Sequence, residues 1–406
     1  MIKKIFISLV SITVLSIVLI SNITLAQIQF NGAFDVGIRT GGENSSFIKN
    51  GVESDYKYAH FRIPQINLFL FAPVNQTFFF EARLQTDTWG TGELKEPFFS
   101  LANITWSNPD KDYSVVAGRF VNPVGFYSKK SLLLDRTFHD LPLTYSYFVN
   151  ISDHRGFWPL AGEGGSYTSS DVGLTTIYFG GYATGGLFDW EIKENKSRLQ
   201  IGITSVAPAS DDNYTNLANA ALLLRYSVKP NIKWELGFSG SYGSFMREAN
   251  VNTSFRPFNP LEKYRQTIIG TDIKYGLGYW EIIAEAVYSN WFVPIFGNGS
   301  FETVGATNTF QEDNFSNIGT NIDIKYEPPV LVGSYFAFRA DYLNFFENGY
   351  GSNIYTGNEW DKDVARITLG FGYKLGNNVE SKVSMSDQTP FDTSFYTLRV
   401  TISAFF

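Results

Sequence analysis

The sequence predicts an all-β fold: a transmembrane antiparallel β-barrel of about sixteen strands with its third loop folded inward. Three observations predict it. Segments with a residue period of two recur along the chain, the connections between them alternate short and long, and the N-terminus has the layout of an export signal.

The N-terminal element comes first. Lys3 and Lys4 precede an almost wholly apolar run from Ile5 to Ile20, and Thr24 and Ala26 sit at the small-residue positions ahead of Gln27. This predicts a signal peptide over 1–26 and a single barrel domain over 27–406. The apolar run is short of the roughly 20 residues that a membrane helix needs.

The strands follow in order. Ile28, Phe30, Phe34, Val36 and Ile38 share one face, with Gln29, Asn31, Asp35 and Arg39 on the other. Phe78, Phe80, Ala82 and Leu84 alternate with Glu81, Arg83, Gln85 and Asp87. Trp234, Leu236 and Phe238 oppose Lys233, Glu235 and Ser239, and Ile282, Ala284 and Ala286 oppose Glu281 and Glu285. Ile322 and Ile324 oppose Asn321 and Asp323, and Ile367, Leu369 and Phe371 oppose Arg366 and Thr368. Alternation is weaker near 171–183 and 197–206. In a membrane barrel the apolar face meets lipid and the polar face lines the interior. A soluble β-sandwich also alternates, but its strands run to about five or six residues, shorter than many of these.

The connections divide into two sets. Pro73-Val74-Asn75, Lys229-Pro230-Asn231, Gly276-Leu277-Gly278, Pro328-Pro329 and Gly376-Asn377-Asn378 are tight turns. Between them lie long polar stretches at 40–57, 88–97, 121–171, 207–216, 247–262, 294–316, 347–363 and 387–394. That is the pattern of short turns at one membrane face and long loops at the other.

The chain ends in a strand whose last residue is Phe406. Tyr396, Leu398, Val400, Ile402 and Ala404 share its face, and Thr397, Arg399, Thr401, Ser403 and Phe405 take the other. This ending resembles the C-terminal signature of bacterial outer-membrane barrels. The resemblance implies the bacterial outer membrane as location, its lipid as a partner, and recognition by the barrel-assembly machinery through the Phe406 strand.

Composition narrows the function. The formal net charge is −7, and loss of Lys3 and Lys4 with the leader makes it −9, which argues against nucleic acid as a partner. With no cysteine there is neither a disulfide framework nor a thiol nucleophile. Aromatic residues at 17% suit two interfacial girdles.

The longest loop, 121–171, is too apolar for disorder: Leu132, Leu133, Leu134, Tyr145, Tyr147, Phe148 and Trp158 need something to pack against. The interior barrel wall is the expected surface, which makes this a constriction loop. Here the sequence resembles the phosphate-selective and related sixteen-stranded porins. Gly118-Arg119-Phe120 is followed by Asn122-Pro123-Val124-Gly125. Three further stretches share the likeness: Ala183-Thr184-Gly185-Gly186 with Glu194 to Arg198, Gly270 to Tyr275 with Glu281 to Tyr288, and Gly370 to Leu375. Thr184 and Gly186 depart from the usual Asn-Gly. The resemblance implies a homotrimeric channel for passive diffusion of small hydrophilic solutes or ions; no cofactor and no catalytic residue is expected.

Selectivity in such pores comes from charge at the constriction. The expected pore-lining residues are Glu81, Arg83, Arg119, Lys129, Lys130, Arg136 and Arg155. Loop cations slightly exceed the loop carboxylates Asp135, Asp140 and Asp153, which favours anions; a salt-bridged interior that merely holds the loop is the competing reading. His139-Asp140 and Asp153-His154 offer metal-ligand types without ligand spacing, so no metal site is expected. Two other readings use the same barrel: a plugged transporter of hydrophobic molecules, and a non-conducting display or adhesin barrel.

Overall fold

A computed structural model describes residues 28–42, 59–88, 94–108, 110–153, 155–158, 173–193, 196–210, 220–246, 261–297, 300–304, 309–348, 359–391 and 394–406. The segment 1–26, expected to be a leader, lies outside the described residues, as do His154 and 159–172.

The chain folds into one closed antiparallel barrel. Its strands are β1 (Gln29–Gly41), β2 (His60–Arg62 continued by Ile66–Pro73), β3 (Phe78–Thr86), β4 (Phe98–Ser107) and β5 (Tyr113–Val121). After the long third loop come β6 (Tyr182–Lys193), β7 (Ser197–Thr204), β8 (Ala221–Asn231), β9 (Trp234–Ser244), β10 (Arg265–Leu277) and β11 (Trp280–Pro294). The last five are β12 (Glu312–Tyr326), β13 (Ser334–Phe345), β14 (Val364–Gly376), β15 (Val379–Gln388) and β16 (Thr397–Phe405). Each pairs with the next in sequence, and β1 closes the ring on β16 from Ala33↔Phe405 to Gly41↔Thr397. Closure leaves no free sheet edge, the condition for strands to cross a bilayer.

The two halves of β2 both pair with β1. Pro64 lies in the gap between them and has no N–H to give the ladder. Gln65 still accepts a bond from the amide of Asp35 at 2.9 Å, so the interruption bends the strand without breaking the wall. The weak alternation near 171–183 resolves unevenly. Described residues 173–181 are not strand, and the strand there begins at Tyr182.

Side chains sort as the period of two requires. Phe30, Ile38, Leu222, Leu224, Ile269 and Ile273 face outward and are exposed, while Asp35, Arg225, Asp272, Glu285, Arg339 and Arg366 face inward and are buried. An apolar exterior around a charged interior is the inverse of a soluble protein and fits a hydrocarbon solvent. At the short-turn end, Trp234 packs on Tyr275 at 4.3 Å and Trp280 on Tyr326 at 4.4 Å, forming part of an aromatic girdle.

Candidate channel interior

The third loop leaves β5 at Asn122, whose side-chain oxygen accepts from the amide of Val124 and turns the chain. Its two ends meet where the Asn122 amide donates to Gly181 O at 3.1 Å. Gly125 (φ +77°) is obligatory, since a Cβ there would lie 2.1 Å from the Tyr145 hydroxyl.

From there the chain runs along interior-facing side chains of many strands. Against β9 to β12, the Gly125 amide donates to Ser239 Oγ at 3.2 Å and the Phe126 amide to Glu285 Oε1 at 2.5 Å. The Tyr145 hydroxyl donates to the same Glu285 oxygen at 2.8 Å. Against β13 to β16, four cations hold the loop by its backbone and by one carboxylate. Arg339 donates to Asp140 O at 2.7 Å, Arg366 to Leu141 O at 2.6 Å, and Lys382 to Leu133 O and Arg136 O at 2.7 and 2.5 Å. Arg399 meets the Asp140 carboxylate, which holds that carboxyl below the usual range in spite of its burial. A guanidinium can only donate, so His139 Nδ1, 2.7 Å from Arg399, accepts.

The arginines also pair along the wall. Arg339 forks onto Asp323, with both bonds at 2.6 Å, and Arg366 pairs with Asp341 at 2.9 Å. Arg225 forks onto Asp272 across the intervening strand β9, with both bonds at 2.8 Å. Farther toward the long-loop end the packing turns apolar. Tyr147, Ile151 and Phe157 of the loop join Trp291, Phe315 and Trp360 in one buried cluster, with Phe157 stacked on Phe315 at 4.2 Å.

The seven residues expected to line the pore fall in four settings. Arg83 is buried, donating to Ser100 Oγ at 2.5 Å and to Ser131 Oγ at 2.8 Å, and so ties wall to loop. Arg136 turns its guanidinium onto Lys130 O, Ser131 O and His139 O within the loop. Arg119 sits over the Tyr182 ring at 3.9 Å, and Arg155 lies between the rings of Trp158 and Phe296. Lys129, Lys130 and Glu81 remain. Lys129 is exposed 3.3 Å from Glu235, Lys130 lies half-buried over Phe126 and Tyr127, and Glu81 is exposed on the interior face of β3. Burial pushes the Lys130 amine down to about 8, against the opposing pull of Glu281. With the Lys274–Glu281 pair at 2.7 Å, the short-turn end of the interior presents both signs of charge.

Solved structures share this architecture. The chain is similar to an anion-selective porin from Comamonas acidovorans (TM-score 0.56, 10% identity, 94% of this chain and 100% of that one). It is similar to the outer-membrane channel DcaP of Acinetobacter baumannii (0.55, 10%, 94% and 97%). It is also similar to Salmonella typhi OmpF in complex with daunomycin (0.54, 13%, 94% and 98%). The fold is that of a sixteen-stranded porin barrel. No family model and no curated protein matches the sequence.

Proposed function

We propose that this barrel is an outer-membrane channel for passive diffusion of small hydrophilic solutes or ions, exported by its 1–26 leader and narrowed by its own third loop. One observation carries the reading: a closed sixteen-strand wall, apolar outside and charged inside, is crossed by a loop bonded to interior side chains of β3 and of β9 to β16. A shell that only needed anchoring in lipid has no use for interior charge. The short-turn end faces the periplasm, and the solute passes the mixed charges of Lys129, Lys130, Glu235, Glu281 and Glu81. Movement is down a gradient, without covalent chemistry or a cofactor.

Anion preference rests on Lys129 and Lys130, and an anion-selective barrel is among the structures with this fold. Assembly as a homotrimer follows the same likeness in fold, which includes a Vibrio cholerae outer-membrane protein described in a trimer form. The Phe406 strand supplies the contact with the barrel-assembly machinery.

A second reading has its own observation. The apolar cluster of Tyr147, Phe157, Trp291 and Trp360 fills part of the long-loop half, as it would in a plugged barrel. Single-channel recording of the refolded protein in a planar bilayer separates the two. Stable conductance steps with an anion-signed reversal potential in a salt gradient support the diffusion channel. Insertion without conductance supports the plug.

A further inference from the structure

Interior-facing apolar residues elsewhere on the wall, such as Leu223, Ile268, Ile283 and Val287, are buried against the third loop, but those at the short-turn mouth across β16, β1, β2 and β3 are not all covered. There Phe405, Phe69, Phe71 and Phe79 occupy interior positions. Their parity follows from their neighbours: Leu68, Phe78 and Phe80 are exposed on the lipid side, while Asn67, Arg83 and Ser403 are buried inside. Phe69 lies 6.2 Å from Phe405, and Phe71 stacks on Phe79 at 5.9 Å with 19° between the rings. The third loop does not cover this stripe, for Phe71 is 38% and Phe405 40% exposed. Those ring contacts leave more than a third of Phe71 and of Phe405 open to the interior.

Glu81 completes the arrangement. It stands directly opposite Phe71 in the β2–β3 register and two residues along the same face from Phe79. It is exposed; among the described residues its carboxylate makes no hydrogen bond and no ion pair, and it acts on Arg83 only through space. The nearest interior cation on its own strand, Arg83, is turned to Ser100 and Ser131. Directly opposed side chains on one face sit about 5 Å apart, the reach of a ring bearing a one- or two-carbon ammonium arm. Stacked rings favour a third aromatic ring, and both the carboxylate and the ring faces favour a cation.

We infer that Phe71, Phe79 and Glu81 form a binding site for small aromatic cations at the short-turn mouth of the barrel. The inference deepens the channel reading and rests on it for access to the site. Phe69 and Phe405, whose rings meet across β1, extend the aromatic surface along the wall toward β16.

The test adds phenethylammonium to the short-turn side of single channels in a planar bilayer. Concentration-dependent brief closures are expected, weakened at least tenfold in the F71S/F79S double variant and at least fivefold in E81Q. Propylammonium and phenylacetate should bind at least tenfold more weakly, and benzyl alcohol should not distinguish E81Q from the parent. Equal block by propylammonium, or block unchanged in F71S/F79S and E81Q, overturns the site and leaves the channel standing. If the folded barrel does not conduct, the channel reading fails, and equilibrium dialysis of phenethylammonium against detergent-folded protein decides the site by the same comparison. E81Q alters one exposed side chain, so it remains readable should F71S/F79S not fold.

Discussion

Arg366 on β14 bonds Leu141 of the third loop through the loop's own carbonyl, at 2.6 Å, while the same guanidinium pairs with Asp341 on β13. One buried side chain therefore links two strands to a loop 225 residues away in sequence. Replacing it with alanine leaves a buried carboxylate uncompensated and a loop carbonyl without its donor. R366A is expected to lose about 3–5 kcal/mol. The double variant R366M/D341L should lose much less, since no unpaired charge remains. Urea unfolding from lipid vesicles measures both, and single-channel traces of R366A should show added flicker from a loosened loop. A loss below about 1 kcal/mol, the range of surface pairs, would mean that the pair is solvated.

Gly237 on β9 lies beneath the Arg225–Asp272 fork. A Cβ at that position would stand 2.4 Å from both Asp272 oxygens and 2.5 Å from Arg225 Nη2. G237A is expected to cost about 1–3 kcal/mol, typical of forcing a group into filled space. In the R225S/D272S background the same alanine should be close to neutral. A double-mutant cycle on unfolding midpoints checks it, and additive costs would show that the fork does not cross over the glycine.

The barrel itself is legible because lipid imposes the period of two on every strand, and that period alone puts Arg83, Arg366 and Arg399 on the interior face. Their partners were not legible. Arg339 and Asp341, two apart on one face, invite pairing with each other, yet each pairs with its register partner on the adjacent strand, Asp323 and Arg366. Register between strands decides this, and alternation within one strand carries no information about register. One loop cation, Arg136, is misleading for a related reason. Arg136 is charged, but three carbonyls of its own loop take its donors, a local fold that no periodicity records. Gly125 and Asn122 were the sequence signs of that fold, standing in the Asn122-Pro123-Val124-Gly125 run.

Lys130 gives the interior a pH-dependent charge. Burial lowers its amine to about 8, against the Glu281 and Asp323 carboxylates that raise it. Below that pH the group is cationic, and above it neutral. The anion-to-cation permeability ratio, read from the reversal potential, should fall as pH rises from about 7 to 9, with a midpoint near 8 that K130Q removes. The stability effect has the opposite sense. Between about 8 and the ordinary value of 10.5 the unfolded chain binds a proton that the folded chain does not, so stability rises with pH across that window. A ratio that does not change through pH 8 in the parent would place Lys130 away from the ion path.

Ser128 and Lys129 are adjacent in sequence and opposite in access. Ser128 is 1% exposed and donates to Val124 O at 2.6 Å, whereas the Lys129 side chain is 46% exposed beside Glu235. The chain has no cysteine, so a single introduced thiol reports its own position without background. In the folded barrel, K129C should react with a bulky membrane-impermeant maleimide at least tenfold faster than S128C. In urea the two rates should converge. Reaction of K129C should also be faster with reagent on the short-turn side of sealed vesicles, because Lys129 pairs with Glu235, the second residue of β9 counted from its short-turn end at Trp234. Equal rates for S128C and K129C in the folded protein would mean that this part of the loop stands outside the barrel, which is the arrangement a display barrel requires.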